Sequence, residues 1–365
     1  MSKQLSFRDF DWTLLAFILA ICTVGVVQIY SATYGSAKFN GLHLKQMYWI
    51  TAGVGLMFVL SFVNYQTLVE NVQWMYGAGI LSLVAVMLVG TRYLGAKRWI
   101  RLPGGQHLQP SEWIKLVLIL TVAKYVVTLN QRELTWTDIF KGGMLVGVPF
   151  LLVLKQPDLG TSLTYLPILL MGMFLAGIKF RQAAIIVLAG SVLILPVWKW
   201  GLKPYQKARL TSFMEPEADP RGAGYHLQQS LIAVGSGGIW GKGTAKGSQT
   251  QGNFLPETHT DFIFATFAEE HGFVGALFVL LLYFVVLMRL IQNAQTAPDR
   301  AGTTVIMGVV AILMFHILIN VGMVVGFMPV TGIPLPLMSY GGSSVMFTFL
   351  ALGIVMNIRM RRFVN

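Results

Sequence analysis

Long apolar runs alternate with short polar, glycine- or proline-containing breaks along most of the chain. Membrane-spanning helices need about 20 apolar residues, and ten runs approach or reach that length. The fifth run is short and contains Pro149, and only residues 155–158 separate it from the sixth, so these two are predicted to form a tight helical hairpin. The pattern predicts an all-α integral membrane protein with spans near residues 12–31, 46–63, 74–91, 111–129, 139–154, 159–177, 183–200, 262–288, 302–326 and 337–358.

One extended polar stretch interrupts this pattern, at residues 201–261 between the seventh and eighth runs. It is basic at residues 204–209 and acidic and turn-forming at residues 215–220. Residues 226–234 are predicted to form a short, weakly amphipathic helix that lies in the membrane interface or re-enters the membrane. No polar segment is large enough to stand alone, so residues 1–365 are predicted to form a single polytopic membrane domain.

The composition agrees with a membrane protein and changes how its charge is interpreted. The chain is 55% hydrophobic and 12% charged, with a mean hydropathy of +0.65. Its net charge of +12 is therefore not read as nucleic-acid binding but as loops that face lipid headgroups or anionic lipid-borne ligands. A single cysteine, Cys22, excludes an intrachain disulfide.

The basic residues predict an orientation. An even number of spans places both termini on one side, and that side is predicted to be cytoplasmic because it carries Lys3, Arg8, Arg359, Arg361 and Arg362. The short outer loop 92–101 holds four cations and departs from this rule. We interpret those cations as retained for an anionic ligand at the outer face.

Polar residues inside the predicted spans are functional candidates because burying them in a membrane is costly. Glu112 and Lys115 are three residues apart and share a helix face, so they form a structural salt bridge or Lys115 provides a cation for a phosphate. His316 and Asn320 lie one turn apart and are predicted to form hydrogen bonds between helices. Both interpretations of the Glu112 and Lys115 pair remain open at this point.

Three further carboxylates have competing interpretations. Asp158 stands in the turn before the sixth span and is predicted to cap that helix or to line a site. Glu269 and Glu270 fall two to three turns into the eighth span, where they are paired in the interior or mark a polar cavity.

Asp261 is the last polar residue before the eighth run. A carboxylate at the mouth of a membrane helix is partly desolvated, so its basicity can be tuned. The competing interpretation is that Asp261 caps that helix.

The glycine-rich residues 235–243 match neither a P-loop nor a dinucleotide fingerprint, because the required residues are absent at the fixed positions. What remains is a flexible backbone with one cation, Lys242, that could approach a phosphate. His259 and His271 form no zinc motif.

Seven segments resemble the SEDS family (shape, elongation, division and sporulation proteins), and they occur in the family's order over nearly the whole chain. Residues 322–324 and 332–337 are more similar to the elongation (RodA) branch than to the division (FtsW) branch. The segments are QPSE at 109–112, QPDLGT at 156–161, DPRGAGYH at 219–226, SLIAVGSGG at 230–238, FLPETHTDFIFA at 254–265, AEEHG at 268–272 and SYGGS at 339–343.

The resemblance implies a multi-pass peptidoglycan glycosyltransferase of the bacterial cytoplasmic membrane. Such an enzyme polymerises lipid II (the undecaprenyl-linked disaccharide peptide) at the outer face during elongation, beside a class B penicillin-binding protein and the elongation machinery. Asp261 matches the aspartate on which polymerase activity depends, and it is the predicted general base. The predicted substrate-binding residues are Arg98, Glu112, Lys115, Asp158, Lys242, Glu257, His259, Thr260, Ser339 and Ser343.

The resemblance also implies a divalent cation, Mg²⁺ or Mn²⁺, although no residue set in the sequence indicates a metal site. Two other functions compete with polymerisation. A lipid II transporter would need a polar path through the bilayer, whereas a scaffold that only activates the penicillin-binding protein would not need Asp261.

Overall fold

The computed structural model describes residues 9–34, 39–93, 96–101, 107–129, 133–215 and 222–362. Lys3 and Arg8, which contribute to the predicted orientation, lie outside the described residues, as does the start of the DPRGAGYH segment at residues 219–221.

Helices make up most of the described chain. In chain order they are α1 Trp12–Ala32, α2 Leu42–Phe62, α3 Tyr65–Glu70, α4 Val72–Val89, α5 Pro110–Thr128, α6 Trp136–Lys155, α7 Leu159–Leu163, α8 Leu166–Leu175, α9 Phe180–Pro196, α10 Pro204–Met214, α11 Ala223–Ser236, α12 Ser248–Gln251, α13 Ile263–Gln295, α14 Arg300–Val324 and α15 Gly342–Met360. A π-helical turn, Val197–Gly201, follows α9.

Each predicted span has a helical counterpart, and the predicted fold class is confirmed. Within the described residues, six helices are long and apolar enough to cross a membrane: α1, α4, α6, α13, α14 and α15. The pair α7–α8 and helix α9 are shorter and apolar, and α2 and α5 have 21 and 19 residues. Large apolar side chains such as Leu88, Leu195 and Phe278 are exposed on the helix surfaces, as lipid-facing residues are.

A small antiparallel sheet lies between α4 and α5. Its strands are β1 Thr91–Tyr93, β2 Ala96–Arg101 and β3 His107–Leu108, in the order β1-β2-β3. The short basic loop predicted at residues 92–101 therefore contributes strands to this sheet. Strand β2 carries Arg98 to the turn between α6 and α7, where Arg98 donates a hydrogen bond to the carbonyl of Pro157.

The helix termini group at two ends of the bundle. At one end, Asp11 forms ion pairs with Arg289 (2.8 Å) and Arg359 (3.0 Å), which joins the two chain termini to the end of α13. Asp261 precedes the start of α13 and therefore lies at the opposite end. We call these the termini end and the Asp261 end.

Helix α13 is broken at Gly272, which has φ 66° and ψ −166°. The loop after α11 fills the break, because Lys242 and Gly243 donate backbone hydrogen bonds to the carbonyls of residues 269 and 270 (3.1 and 2.9 Å). Only glycine fits there, since a Cβ on Gly272 would lie 2.4 Å from the backbone nitrogen of Gly241.

The break corrects the prediction for the eighth span. Residues 263–270 are buried inside the protein, whereas exposed apolar side chains begin at Phe273 and continue through Val274, Leu277 and Phe278. The surface that suits lipid therefore starts about ten residues later than predicted. Hydropathy alone does not separate a segment buried in protein from one that faces lipid.

The two adjacent carboxylates before the break hold the loop in place. Glu269 accepts hydrogen bonds from the Lys242 ammonium (2.8 Å) and the Thr250 hydroxyl (2.8 Å), while Glu270 accepts one from Ser31 of α1 (2.6 Å). Of the two interpretations left open, the structure supports pairing in the interior. These contacts fix the loop, α1 and the first part of α13 relative to one another.

Replacing Lys242 by methionine should destabilise the protein because it leaves the fully buried Glu269 without its cation. Losing one partner of a buried pair costs several kcal/mol. Since 27% of the Lys242 side chain is exposed, we expect about 2–4 kcal/mol. In thermal unfolding of the detergent-purified protein, Lys242→Met should lower Tm, and Lys242→Met with Glu269→Gln should recover much of the loss. Equal Tm values for the single and double variants would contradict this role.

Candidate active site

Asp261 lies in a tight turn that leads into α13. Glu257 has φ 48°, and its carbonyl accepts hydrogen bonds from the backbone N–H groups of Thr260 (3.1 Å) and Phe262 (3.3 Å). Helix α13 begins at Ile263, with Phe262 as its N-cap residue and no side-chain capping bond. The interpretation of Asp261 as a helix cap is therefore wrong, and its carboxylate is not used in that way.

Three consecutive carbonyls hold this turn in place, at residues 259–261. The first accepts a hydrogen bond from the backbone N–H of Tyr340 (2.9 Å) and the second from the hydroxyl of Ser339 (2.7 Å). The third accepts one from the side-chain amide of Asn320 (2.9 Å), which also binds the carbonyl of Ile333 (2.8 Å). The turn is thus attached to α14 and to the segment before α15.

Ser339 is fully engaged in this attachment. Besides donating to the Thr260 carbonyl, its hydroxyl accepts the backbone N–H of Leu335 (2.8 Å), and its own carbonyl accepts the Gln46 amide (3.0 Å). The geometry therefore gives Ser339 and the backbone of Thr260 a role in shaping the turn. The Thr260 hydroxyl donates to the Glu257 carboxylate (3.1 Å).

The segment 331–332 borders the Asp261 carboxylate. Gly332 has φ +75°, and a Cβ there would lie 3.3 Å from the Asp261 Oδ2. The preceding carbonyl, of Thr331, accepts a hydrogen bond from the Arg209 guanidinium (Nη1, 3.1 Å). On its other side Gly160 of α7 packs so closely that a Cβ would be 2.6 Å from that carbonyl oxygen.

Asp158 is nearly buried and has three kinds of partner. It caps α7 by accepting the backbone N–H of Thr161 (3.2 Å), which confirms the capping interpretation. It also accepts the Gln109 amide (3.0 Å) and pairs with the Arg98 guanidinium at 3.7 Å. Arg98 in turn donates to the carbonyls of residues 156 and 157. Both side chains therefore stabilise the turn between α6 and α7.

The charges of Glu257, Asp158, Arg98 and Arg209 act on the Asp261 carboxylate. We call these five residues, together with segment 331–332, the Asp261 site. The pKa of Asp261 is raised to about 6, chiefly because its carboxylate is removed from bulk water and also because Glu257 and Asp158 carry negative charge nearby, while Arg209 and Arg98 act in the opposite direction. Asp261 keeps part of its surface accessible. It is therefore an accessible carboxylate that can exchange a proton near neutral pH.

His259 has a packing role in this geometry. It is buried, its ring centroid lies 4.7 Å from that of Phe39 and 5.9 Å from that of Tyr340, and burial lowers the pKa of its imidazole. The neutral imidazole ring therefore packs among aromatic rings, beside the turn that carries Asp261.

The predicted pairing of Glu112 and Lys115 is confirmed, deep in the bundle. The Lys115 ammonium is fully buried, 2.7 Å from the Glu112 carboxylate and 4.4 Å from the ring centroid of Phe347. The Nε2 of His316 lies 3.4 Å away, and since its Nδ1 donates to the Ile312 carbonyl (2.7 Å), Nε2 is free to accept.

The predicted substrate-binding residues thus fall into separate places. Arg98, Asp158, Glu257, His259 and Thr260 lie in or next to the Asp261 site. Lys242 is bound to Glu269, and among the described residues neither Lys115 nor Lys242 forms a hydrogen bond or ion pair with Asp261. The hydroxyl of Ser343 accepts the backbone N–H of Gln109 (3.3 Å).

Two residues of the site were not among the sequence predictions. Arg209 belongs to a basic run in which nothing distinguishes it from its neighbours, and Gly332 contacts Asp261 only because of the tertiary fold. Asn320 was predicted to join helices, yet it binds two loop carbonyls instead.

Comparison with known proteins agrees with these observations. The family of cell cycle proteins FtsW, RodA and SpoVE matches residues 12–363. The chain is 38% identical to the peptidoglycan glycosyltransferase MrdB of Escherichia coli (strain K12), over 96% of this chain and 94% of that protein. It is 34% identical to the peptidoglycan glycosyltransferase RodA of Treponema pallidum (strain Nichols), over 97% and 98% of the two chains.

A solved structure is also similar over nearly its full length. It belongs to a study of how a peptidoglycan synthase complex coordinates polymerization and crosslinking, and one of its chains superposes with a TM-score of 0.83 at 32% identity, covering 97% of this chain and 98% of that one. Since a single family spans almost every residue and the two relatives named above cover 96% and 97% of the chain at 38% and 34% identity, this protein belongs to the FtsW, RodA and SpoVE family of cell cycle proteins, the SEDS family that its motifs resemble.

Proposed function

We propose that the protein is a peptidoglycan glycosyltransferase that polymerises lipid II into glycan strands during cell elongation, with Asp261 as its general base. The proposal rests on the environment of the Asp261 carboxylate. Among the described residues it has no hydrogen-bond or ion-pair partner, it stays partly accessible, and its pKa is about 6. Family membership supports the reaction class, because relatives are named peptidoglycan glycosyltransferases.

The chemistry requires one base. Lipid II carries an α-linked sugar on a pyrophosphate and the product is β-linked, so a single inverting displacement is needed. The 4-hydroxyl oxygen of the acceptor sugar attacks the anomeric carbon, the bond from that carbon to the pyrophosphate oxygen breaks, and the hydroxyl proton passes to Asp261. Inverting glycosidases also need an acid on the leaving oxygen. Pyrophosphate is already a good leaving group, so cations replace that acid.

A divalent cation fits the site only as an ion shared with the substrate. Within the described residues, no group of three or more histidine, cysteine, aspartate or glutamate side chains could hold a metal ion. Mg²⁺ in phosphate-transfer sites typically binds one or two carboxylates plus substrate oxygens, and Asp261 and Glu257 could provide those carboxylates. When bound, the ion would neutralise charge on the pyrophosphate.

We further propose that the termini end is cytoplasmic and the Asp261 end faces outward. Arg289, Arg359, Arg361 and Arg362 cluster around the chain termini, in keeping with the excess of basic residues on cytoplasmic sides. The crosslinking partner in this proposal is a class B penicillin-binding protein. It is supported by the likeness to a chain from a complex that combines polymerization and crosslinking.

The competing transporter hypothesis needs polar groups across the whole bilayer. On α14 the polar residues Asn320 and His316 are followed, toward the termini end, by the buried apolar residues Ile312, Val309 and Val305. Between residues 305 and 315, α14 contributes no polar side chain to the interior, so on this helix the polar residues of the Asp261 end are separated from Thr304 at the termini end. This arrangement favours an enzyme with its site at one face over a transporter.

Asp261→Asn should abolish polymerisation of purified lipid II while leaving the protein folded. General bases contribute about 10²–10⁴-fold to rates, so we expect a loss of at least about 100-fold. Tm at pH 7 should not fall, because the carboxylate stabilises no cap. Asp9→Asn, at the opposite end of the bundle, is the matched control and should stay active. Near wild-type glycan synthesis by Asp261→Asn would sink the proposal and favour a scaffold.

The rate of lipid II polymerisation should fall in mild acid. Asp261 acts as a base only when deprotonated, so kcat/KM should rise with pH through about 6, rather than through the range near 4 that is usual for aspartate. Glu257→Gln removes a neighbouring negative charge that raises the pKa of Asp261, so this limb should move to lower pH. Glu133→Gln, an exposed carboxylate at the termini end, should leave it in place. A limb near pH 4, or an upward shift in Glu257→Gln, would contradict the assignment.

A further inference from the structure

The cations that the sequence offers for a pyrophosphate are mostly neutralised by carboxylates of the protein. The Lys115 ammonium lies 2.7 Å from Glu112, and the Lys242 ammonium lies 2.8 Å from Glu269. Arg98 pairs with Asp158 at 3.7 Å and uses further N–H groups on two backbone carbonyls. A substrate anion would compete with these protein carboxylates for each of the three cations.

Helix α10 carries cations without such partners. Its sequence, Pro204–Met214, contains no acidic residue, and among the described residues neither Lys207 nor Arg209 pairs with a carboxylate. The two side chains diverge. Lys207 donates to the carbonyl of Lys199 (3.4 Å), whereas Arg209 donates to that of Thr331 (3.1 Å). Residues two apart on a helix face different directions, so only Arg209 turns toward the Asp261 site.

Arg209 is held next to the Asp261 carboxylate through one of its N–H donors. Within the described parts of the chain its one hydrogen bond goes to the carbonyl of Thr331, and the following residue, Gly332, borders the Asp261 Oδ2. A guanidinium has five N–H donors, so four remain. Arg209 is half-buried, and its charge opposes the rise in the pKa of Asp261, as a cation on the same site should.

We propose that Arg209 is the residue that binds the pyrophosphate of the lipid-linked donor, beside the base. This inference rests on the proposed function. In the displacement, the electron pair of the breaking bond between the anomeric carbon and oxygen moves onto the pyrophosphate, while the acceptor proton moves to Asp261. The planar fork of a guanidinium matches two phosphate oxygens at once. Arg209 transfers no proton and stabilises the charge that leaves.

A purely structural role would be to hold the Thr331 carbonyl in place. Two substitutions separate the roles. Arg209→Gln can still donate to a carbonyl but carries no charge, whereas Arg209→Lys keeps the charge without the fork. If the charge matters, Arg209→Gln should be as impaired as Arg209→Ala, and Arg209→Lys should recover part of the activity. Lys207→Ala removes a neighbouring cation that faces away, so it is the matched control.

The test measures two quantities on purified full-length protein. The first is the rate of lipid II polymerisation, which should fall about 10- to 100-fold in Arg209→Ala and Arg209→Gln and stay near wild type in Lys207→Ala. The second is inhibition by undecaprenyl pyrophosphate compared with undecaprenyl phosphate. The wild type should prefer the pyrophosphate, and Arg209→Gln should lose about tenfold of that preference.

The outcomes distinguish this inference from the proposed function. If the wild-type protein does not polymerise lipid II, the proposed function fails. If it does, and Arg209→Gln keeps wild-type rate and wild-type preference for pyrophosphate, the assignment of Arg209 is overturned. The assignment also fails if Arg209→Gln and Lys207→Ala are equally impaired. Tm measured for each variant identifies a loss caused by unfolding, and Arg209→Lys then provides the test in a folded protein.

Discussion

The position of Asp261 depends on three hydrogen bonds to three consecutive backbone carbonyls. Residues 259–261 are bound by Tyr340, Ser339 and Asn320, which come from α14 and from the segment before α15. Because the backbone of the turn is held by these outside groups, the Asp261 side chain is not needed to cap α13. Among the described residues the Asp261 carboxylate forms no hydrogen bond or ion pair, and it stays partly accessible at this end of the bundle.

Asp261 differs in this respect from three other carboxylates, which form ion pairs. Asp158, Glu112 and Glu269 each pair with a cation, and Asp158 and Glu269 accept further hydrogen bonds, so that they stabilise a turn, the bundle interior and a loop, respectively. Asp261 and Arg209 lie on either side of segment 331–332, and the structure of the described residues shows no hydrogen bond or ion pair between them. In a displacement at an anomeric carbon, the incoming hydroxyl needs a base and the leaving pyrophosphate needs a cation. Under the proposed function Asp261 is that base and Arg209 that cation, and among the described residues neither side chain forms an ion pair.

The sequence predicted the local features of the structure. Apolar runs predicted the helices with ends that differ from the structure by up to seven residues, as at the end of α13. The spacing of Glu112 and Lys115 predicted their ion pair, and Asp158 before Leu159 predicted a cap. Each of these depends on residues close together in the chain. The break at Gly272 was not predicted, because it depends on a loop that is distant in the sequence until it packs against α13.

The same limit applies to the site. Resemblance to a family pointed to Asp261, but its capping alternative was removed only by knowing where α13 begins. Arg209 was one cation in a basic run until its contact with Thr331, 122 residues away, separated it from Lys207. Lys242 was assigned to a phosphate because a glycine-rich loop surrounds it, yet the fold places a buried glutamate beside it.

The protonation of Asp261 near neutral pH, on which its proposed role as a base depends, can be measured without turnover. Carboxyl ¹³C NMR of aspartate-labelled protein, with Asp261→Asn to assign the signal, gives the protonation midpoint of this one side chain. We expect a midpoint of about 6 that coincides with the acid limb of the polymerisation rate. A midpoint near 4, as in an ordinary exposed aspartate, would contradict it.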